Sequence, residues 1–166
     1  SGNGTPYHMA GELFKYMAGI QMTHVPYKGS AGARTDVLSG QVDMMFDAVT
    51  TMSENIKANK VKGIATTGRV RSNVLPDIAT MNEAGVPQYD AVIWLGLMAP
   101  AGTPEPIVSK LNAEINKIIN SADVKTTWAK QGAVPMSMTV SAFTKFVADD
   151  VAKWANIVKV SGAKPD

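Results

Sequence analysis

Cysteine is absent from the 166 residues, so disulfides, thiolate metal sites and cysteine nucleophiles are excluded together. Charge is sparse at 18%, the net charge is only +2, and no basic cluster stands out. A nucleic-acid surface is therefore unsupported and no nucleic-acid partner is expected. Apolar runs stop well short of the roughly 18 residues that a transmembrane helix needs. Also missing are a nucleophile elbow, an HExxH pair and a P-loop, which leaves no catalytic residue, metal ligand or cofactor to propose. The opening SGNGTP has neither an initiator methionine nor a charged-and-apolar leader, so this sequence is expected to be part of a longer chain.

What is present is globular, with 45% hydrophobic residues and 14 glycines placed as punctuation. The organising stretch is His24–Asp47. His24-Val25-Pro26-Tyr27 reads as a short strand, and Gly29-Ser30 as a turn and helix N-cap. A helix then carries Ala31, Arg34, Val37 and Leu38 and stops at Ser39-Gly40, before Gln41–Phe46 returns as an apolar strand. Strand, helix and strand in so few residues predict a βαβ crossover with parallel strands. Ligands of parallel sheets gather beyond the carboxyl ends of the strands, where helix N-termini point. Tyr27, Lys28, Gly29 and Ser30 stand at one such end and Asp47 at the other. The first group suits an anion. Asp47 suits an amine, a hydroxyl or, as a helix N-cap, the amides of Ala48 onward.

Upstream, Gly2-Asn3-Gly4-Thr5 leads into a helix over Pro6–Ala18, with Thr5 as N-cap, Pro6 at N1 and Met9, Ala10, Leu13, Phe14 and Met17 on one face. This is a second glycine-rich helix entry, with amides available for a carboxylate or phosphate. His8 falls in its first turn. Downstream, the pattern predicts a helix over 48–58, strands over 61–67 and 89–98, and helices over 104–120, 122–131 and 140–160, with Thr103 as the N-cap of the first of these three. The α/β pattern ends near residue 98, and mostly helix follows. The helical part leaves Trp128, Phe143, Phe146 and Trp154 on stripes that need covering.

SGNGT, HVPYKGS, GQVDMMFD, LPDIATMNEAGVPQYD, WLGLMAPAGTP and KWANIVKVSGAKPD, in this order, resemble the Bug-type periplasmic solute-binding proteins of tripartite tricarboxylate transporters, in their C-terminal portion. The resemblance implies an α/β, type II periplasmic-binding-protein-like fold: residues 1–98 a near-complete second-lobe α/β ligand-binding domain, and residues 99–166 a crossover plus C-terminal helices of an incomplete first lobe. It implies a periplasmic, non-enzymatic receptor that closes on a small carboxylate or amino acid and delivers it to membrane transporter subunits. Carried over by position, the ligand loops fall on Ser1, Gly2, Asn3, Gly4, Thr5 and His8, on Tyr27, Lys28, Gly29 and Ser30, and on Asp47. The alternative is the ligand-sensing effector domain of a transcription regulator, which shares this type of fold. The uncovered helical stripes add one more expected partner, a second copy of the chain, giving a homo-oligomer through the C-terminal helices.

Overall fold

The computed structural model describes residues 2–164. Six helices follow one another: α1 (Pro6–Ala18), α2 (Ser30–Leu38), α3 (Val49–Lys57), α4 (Glu105–Ile119), α5 (Ala122–Gln131) and α6 (Val140–Ser161). Their bounds follow local chemistry. Thr5 caps α1 by accepting from the His8 amide, with Pro6 in the first position, where its missing N–H costs nothing. Gly19, Gly132 and Gly162 close α1, α5 and α6 in the left-handed conformation, with φ of 65°, 77° and 65°.

Two predicted caps are displaced. Pro104, not Thr103, is the N-cap of α4, because the Thr103 hydroxyl instead donates to the Pro100 carbonyl at 2.8 Å and closes the preceding turn. Similarly, Ser30 lies inside α2 with Gly29 as its cap, since Gly29 at φ 95° makes the turn that a side-chain-bearing residue would resist.

The predicted strands are the larger correction. Among the described residues one parallel bridge forms, Thr66 with Thr80; the Thr66 amide donates to Ala79 and the Met81 amide to the Thr66 carbonyl, at 2.8 and 2.9 Å. Residues 24–27 and 89–98 run without ladders. Residues 41–43 bend, because the amides of Gln41 and Val42 donate back to the Asp36 carbonyl. An apolar run sets how a segment is buried, whereas a ladder also needs an aligned neighbouring backbone.

The core is built where α1 meets the 80–91 segment and α6. Ala10, Met81, Tyr89 and Ala91 are buried together, with Leu13, Phe14, Met17, Phe46, Ala65, Val86 and Trp154 packed around them. The face expected for α1 is thus the buried one. A turn at 80–84 supports this core through a reciprocal cap: the Thr80 amide donates to Glu83 at 2.7 Å, and the Glu83 amide donates to the Thr80 hydroxyl at 3.2 Å. The Arg71 guanidinium and these Thr80 bonds hold the Glu83 carboxyl down at about 2. Trp94 packs edge-on against Phe143 and Phe146 at 5.7 and 5.3 Å and donates to Asp150 at 2.9 Å. Those rings, and Trp154, are therefore half-covered. The exposed apolar surface of this half instead includes Trp128, Leu95, Leu97, Met98, Ile107, Leu111, Ile118, Val151 and Val158.

Candidate functional site

Three helix N-termini carry the predicted site, and they are not equivalent. At α1 the entry is closed on itself. The Thr5 hydroxyl donates to the Gly2 carbonyl at 2.8 Å, and the Gly4 amide donates to His8 Nδ1 at 3.1 Å. That bond makes Nδ1 the acceptor, so the proton of neutral His8 sits on Nε2, which faces Glu12 at 3.4 Å. Gly4 and His8 thus satisfy each other, a correction to the reading in which both face an anion. The reason is proximity: a histidine four residues past a helix entry reaches the amide that an outside ligand would otherwise use. Ser1 lies outside the described residues, and Asn3 is engaged in an interaction of its own.

His8 also stacks on His24, with ring centroids 3.8 Å apart and planes 25° from parallel. Among the described residues, Nε2 of His24 is buried without a hydrogen-bond partner. Desolvation, then the facing His8 ring, pushes the His24 pKa below its ordinary 6.5; Glu12 opposes this and Lys15 adds to it. The folded state therefore favours neutral His24. Its contribution to stability is fully present above pH 6.5 and is lost as the pH falls below that value. Urea midpoints measured from pH 7.5 to 5 are expected to drop across this window. His24→Gln should flatten the drop, and an unchanged slope in that variant would remove His24 from the account.

α2 and α3 differ from α1 in having no side-chain cap among the described residues. Between them lies an ion pair. Arg34 sits four residues into α2, and helical side chains lean toward the N-terminus, so its guanidinium reaches back to the mouth. There Nε and Nη2 hold the Asp47 carboxylate, and Nη2 also donates to Ser30 Oγ at 3.1 Å. Asp47 Oδ1 accepts from the Ala48 amide at 2.9 Å. The Asp47 side chain is 2% exposed and Arg34 28%. Asp47 is thus neither the N-cap of α3, a place Ala48 takes, nor an open carboxylate waiting for an amine. Arg34 takes the place of an amine ligand, because a guanidinium can grip both oxygens at once, while the expected structural N–H is present in the Ala48 amide.

Tyr7, in the first turn of α1, completes the group. Burial first and Asp47 second push its hydroxyl pKa up, against the opposing pull of Arg34 and the Ala48 amide. The Arg34 pKa is itself raised, chiefly by its bond to Asp47. So α2 and the start of α3 are joined through Ser30, Arg34 and Asp47, with Tyr7 of α1 near enough to feel their charges.

The remaining predicted residues line the loop before α2. The Tyr27 hydroxyl donates to Asp36 at 2.7 Å, which raises its pKa and folds the ring over α2, while Lys28 is exposed. The Gly29 amide donates to the Tyr27 carbonyl at 2.9 Å. Arg34 and Tyr7 are the members of the group that the site reading missed. The available signal was an arginine on an otherwise apolar helical stripe four residues after Ser30. Among the described residues no cluster of histidine, cysteine and acids could hold a metal, and no helix is long and apolar enough to cross a membrane.

These features, an α/β lobe with helix N-termini gathered at one mouth, define part of a periplasmic-binding-protein fold. A structure of a Rhodopseudomonas palustris protein, "R. palustris Rpa4515 with adipate", superposes with a TM-score of 0.87 at 32% identity, over 98% of this chain and 55% of that one. A "periplasmic binding protein BugD" superposes at 0.82 and 32%, over 96% and 54%. "Protein BugT" of Bordetella pertussis is 35% identical over 161 residues, 97% of this chain and 49% of that protein. The model of the "Tripartite tricarboxylate transporter family receptor" matches residues 1–163, and the chain belongs to that family. It spans about half the length of the first curated relatives it matches. The family is one of solute-binding receptor proteins.

Proposed function

We propose that the chain is the larger part of one lobe, with the crossover helices, of a periplasmic solute-binding receptor for a small carboxylate or amino acid. The receptor hands its ligand to the membrane subunits of a tripartite tricarboxylate-type transporter and performs no catalysis. Residues 1–98 supply the ligand-binding lobe, and residues 99–166 the crossover and the C-terminal helices of the other lobe. The observation that carries this reading is the mouth of α2 and α3, whose first amides lack side-chain caps among the described residues and whose bridging cation is Arg34. Uncapped amides, a positive helix end and a guanidinium are the groups a carboxylate needs. The likeness to a structure holding adipate, a dicarboxylate, supports the same ligand class.

One lobe offers one wall of a cleft, so affinity is expected to be about millimolar in the isolated chain. Titration of the 15N-labelled chain with adipate should shift amides of residues 27–34 and 47–49, with those of 2–8 responding less, because α1 is already capped. Shifts confined to the helices beyond residue 104, or none at all, would count against the reading.

A further inference from the structure

We infer that His8 is the bolt of a proton-operated latch on the entry to α1: neutral His8 holds the Gly4 amide, a proton taken up at Nδ1 releases it, and His24 keeps the bolt in place. The side chains of His8 and Glu12 are only 8% and 10% exposed, so this pair of titratable groups is largely enclosed. Gly4, at φ 71°, makes the turn that brings its N–H to Nδ1 of His8 at 3.1 Å. Nε2 of the same ring faces Glu12 at 3.4 Å, while Lys15 holds both Glu12 oxygens at 2.8 and 2.9 Å. From the 24–27 segment, His24 lays its ring on that of His8 with the centroids 3.8 Å apart.

A proton meets different surroundings on the two rings. On His8 it turns the acceptor of the Gly4 N–H into a donor, so that bond is lost. The charge it brings has an acid to receive it, because Glu12 lies against Nε2 on the other side of the ring. Protonated His24 would carry an N–H on each ring nitrogen, yet its Nε2 is buried and, among the described residues, has no acceptor. The charges acting on His24 are the His8 ring, the amino terminus, Glu12 and Lys15, and of these Glu12 alone favours a proton. His24 is thus a neutral plate behind the bolt, and acts on Gly4 only through His8. Release stays local. The Thr5 hydroxyl still donates to the Gly2 carbonyl at 2.8 Å and accepts from the His8 amide at 3.5 Å, and neither bond involves the imidazole. In acid, α1 therefore keeps its cap while Gly4 gains a free donor.

The test follows the Gly4 and Thr5 amides of the 15N-labelled chain by hydrogen exchange from about pH 7.5 to 5, with each rate referred to that of an unstructured peptide at the same pH. Gly4 protection should fall by roughly fivefold, as loss of one hydrogen bond gives, while Thr5 stays level. Imidazole nitrogen spectra of the wild type should show His8 with its proton on Nε2 at the upper pH and with both nitrogens protonated at the lower. His8→Asn keeps an acceptor near the place of Nδ1 and cannot titrate, so its Gly4 amide should ignore pH. His24→Ala should lower Gly4 protection already at pH 7.5. A wild-type Gly4 amide indifferent to pH would overturn the latch, and so would neutral His8 carrying its proton on Nδ1; both are read without any variant. An undiminished pH response in His8→Asn would assign the change to another group and overturn it equally. Unchanged Gly4 protection in His24→Ala would strike His24 from the device.

Discussion

At tens of micromolar and above, the chain is expected to elute and scatter light as a dimer or larger species. Its accessible surface is 10,984 Å² at 17.6 kDa. A folded monomer of that mass exposes about 7,900 Å² by the usual mass scaling, so this one carries an excess of about 3,000 Å². That is the scale an obligate interface removes. The excess is apolar in good part: Leu95 is 98% exposed, Leu97 76%, Met98 68%, Val151 66% and Leu111 50%. These side chains lie on the 92–98 segment and on α4 and α6, and a groove of about 530 Å³ runs along α6 beside Trp94, lined by Val147, Val151, Ala155 and Val158. Apolar surface on this scale drives association at about 25 cal/mol per Å² before the costs of docking. We propose a second copy of the chain as its occupant. Leu95→Glu and Leu111→Glu replace side chains that are half exposed or more, so they should shift the population toward monomer while leaving helicity unchanged. A monomer at every concentration, confirmed by sedimentation equilibrium, would refute the second copy.

The second large effect is expected at Tyr89. Its side chain is fully buried and its hydroxyl donates to the Ala10 carbonyl at 2.8 Å, which fastens α1 to the 80–91 segment. The Tyr89 carbonyl in turn accepts from Asn82 at 2.6 Å. Truncation to alanine opens a cavity among Ala10, Met81 and Ala91, at a cost of about 3–5 kcal/mol. Small domains are stable by only about 5–15 kcal/mol, so Tyr89→Ala should remove a large share of the stability and move the urea midpoint sharply down. Tyr89→Phe keeps the ring and loses one buried hydrogen bond, about 1 kcal/mol, and should fold with a slightly earlier urea midpoint. Burial also pushes the phenol pKa well above its ordinary 10. Folding favours the neutral form, so the contribution of Tyr89 is present below pH 10 and is lost as the pH rises beyond it. Equal midpoints for Tyr89→Ala and wild type would contradict the placement of the core.

Much of the helical architecture was legible in the sequence because its causes are local. The start of α1 at Pro6 and its end at Gly19 need only a capping threonine, a proline and a glycine. The Met9, Ala10, Leu13, Phe14 and Met17 face follows from helical periodicity. Extended segments behaved differently. The composition of Tyr89–Met98 suggested a strand, yet whether its amides found partners depended on which backbone lay alongside: the Ala91 amide reaches the Thr67 carbonyl, and the Tyr89 amide turns back to Val86. At the mouth, the sequence singled out the loops before α1, α2 and α3 but did not show which partners their groups take. Gly4 was taken by His8 four residues away, a local event that pattern alone does not rank. Asp47 was taken by Arg34, a partner 13 residues away.

By itself, then, the sequence determined which segments are helical, that no thiol chemistry operates, and which turns open onto helix N-termini, since each depends on residue type and near neighbours. Only the tertiary structure decided that the entry to α1 is closed by His8 while α2 and α3 have no side-chain cap among the described residues, and that Asp47 is held by Arg34. The reason is physical. Hydrogen-bond donors and charges choose among all partners within about 3 Å in space, and that choice is made after the chain has folded.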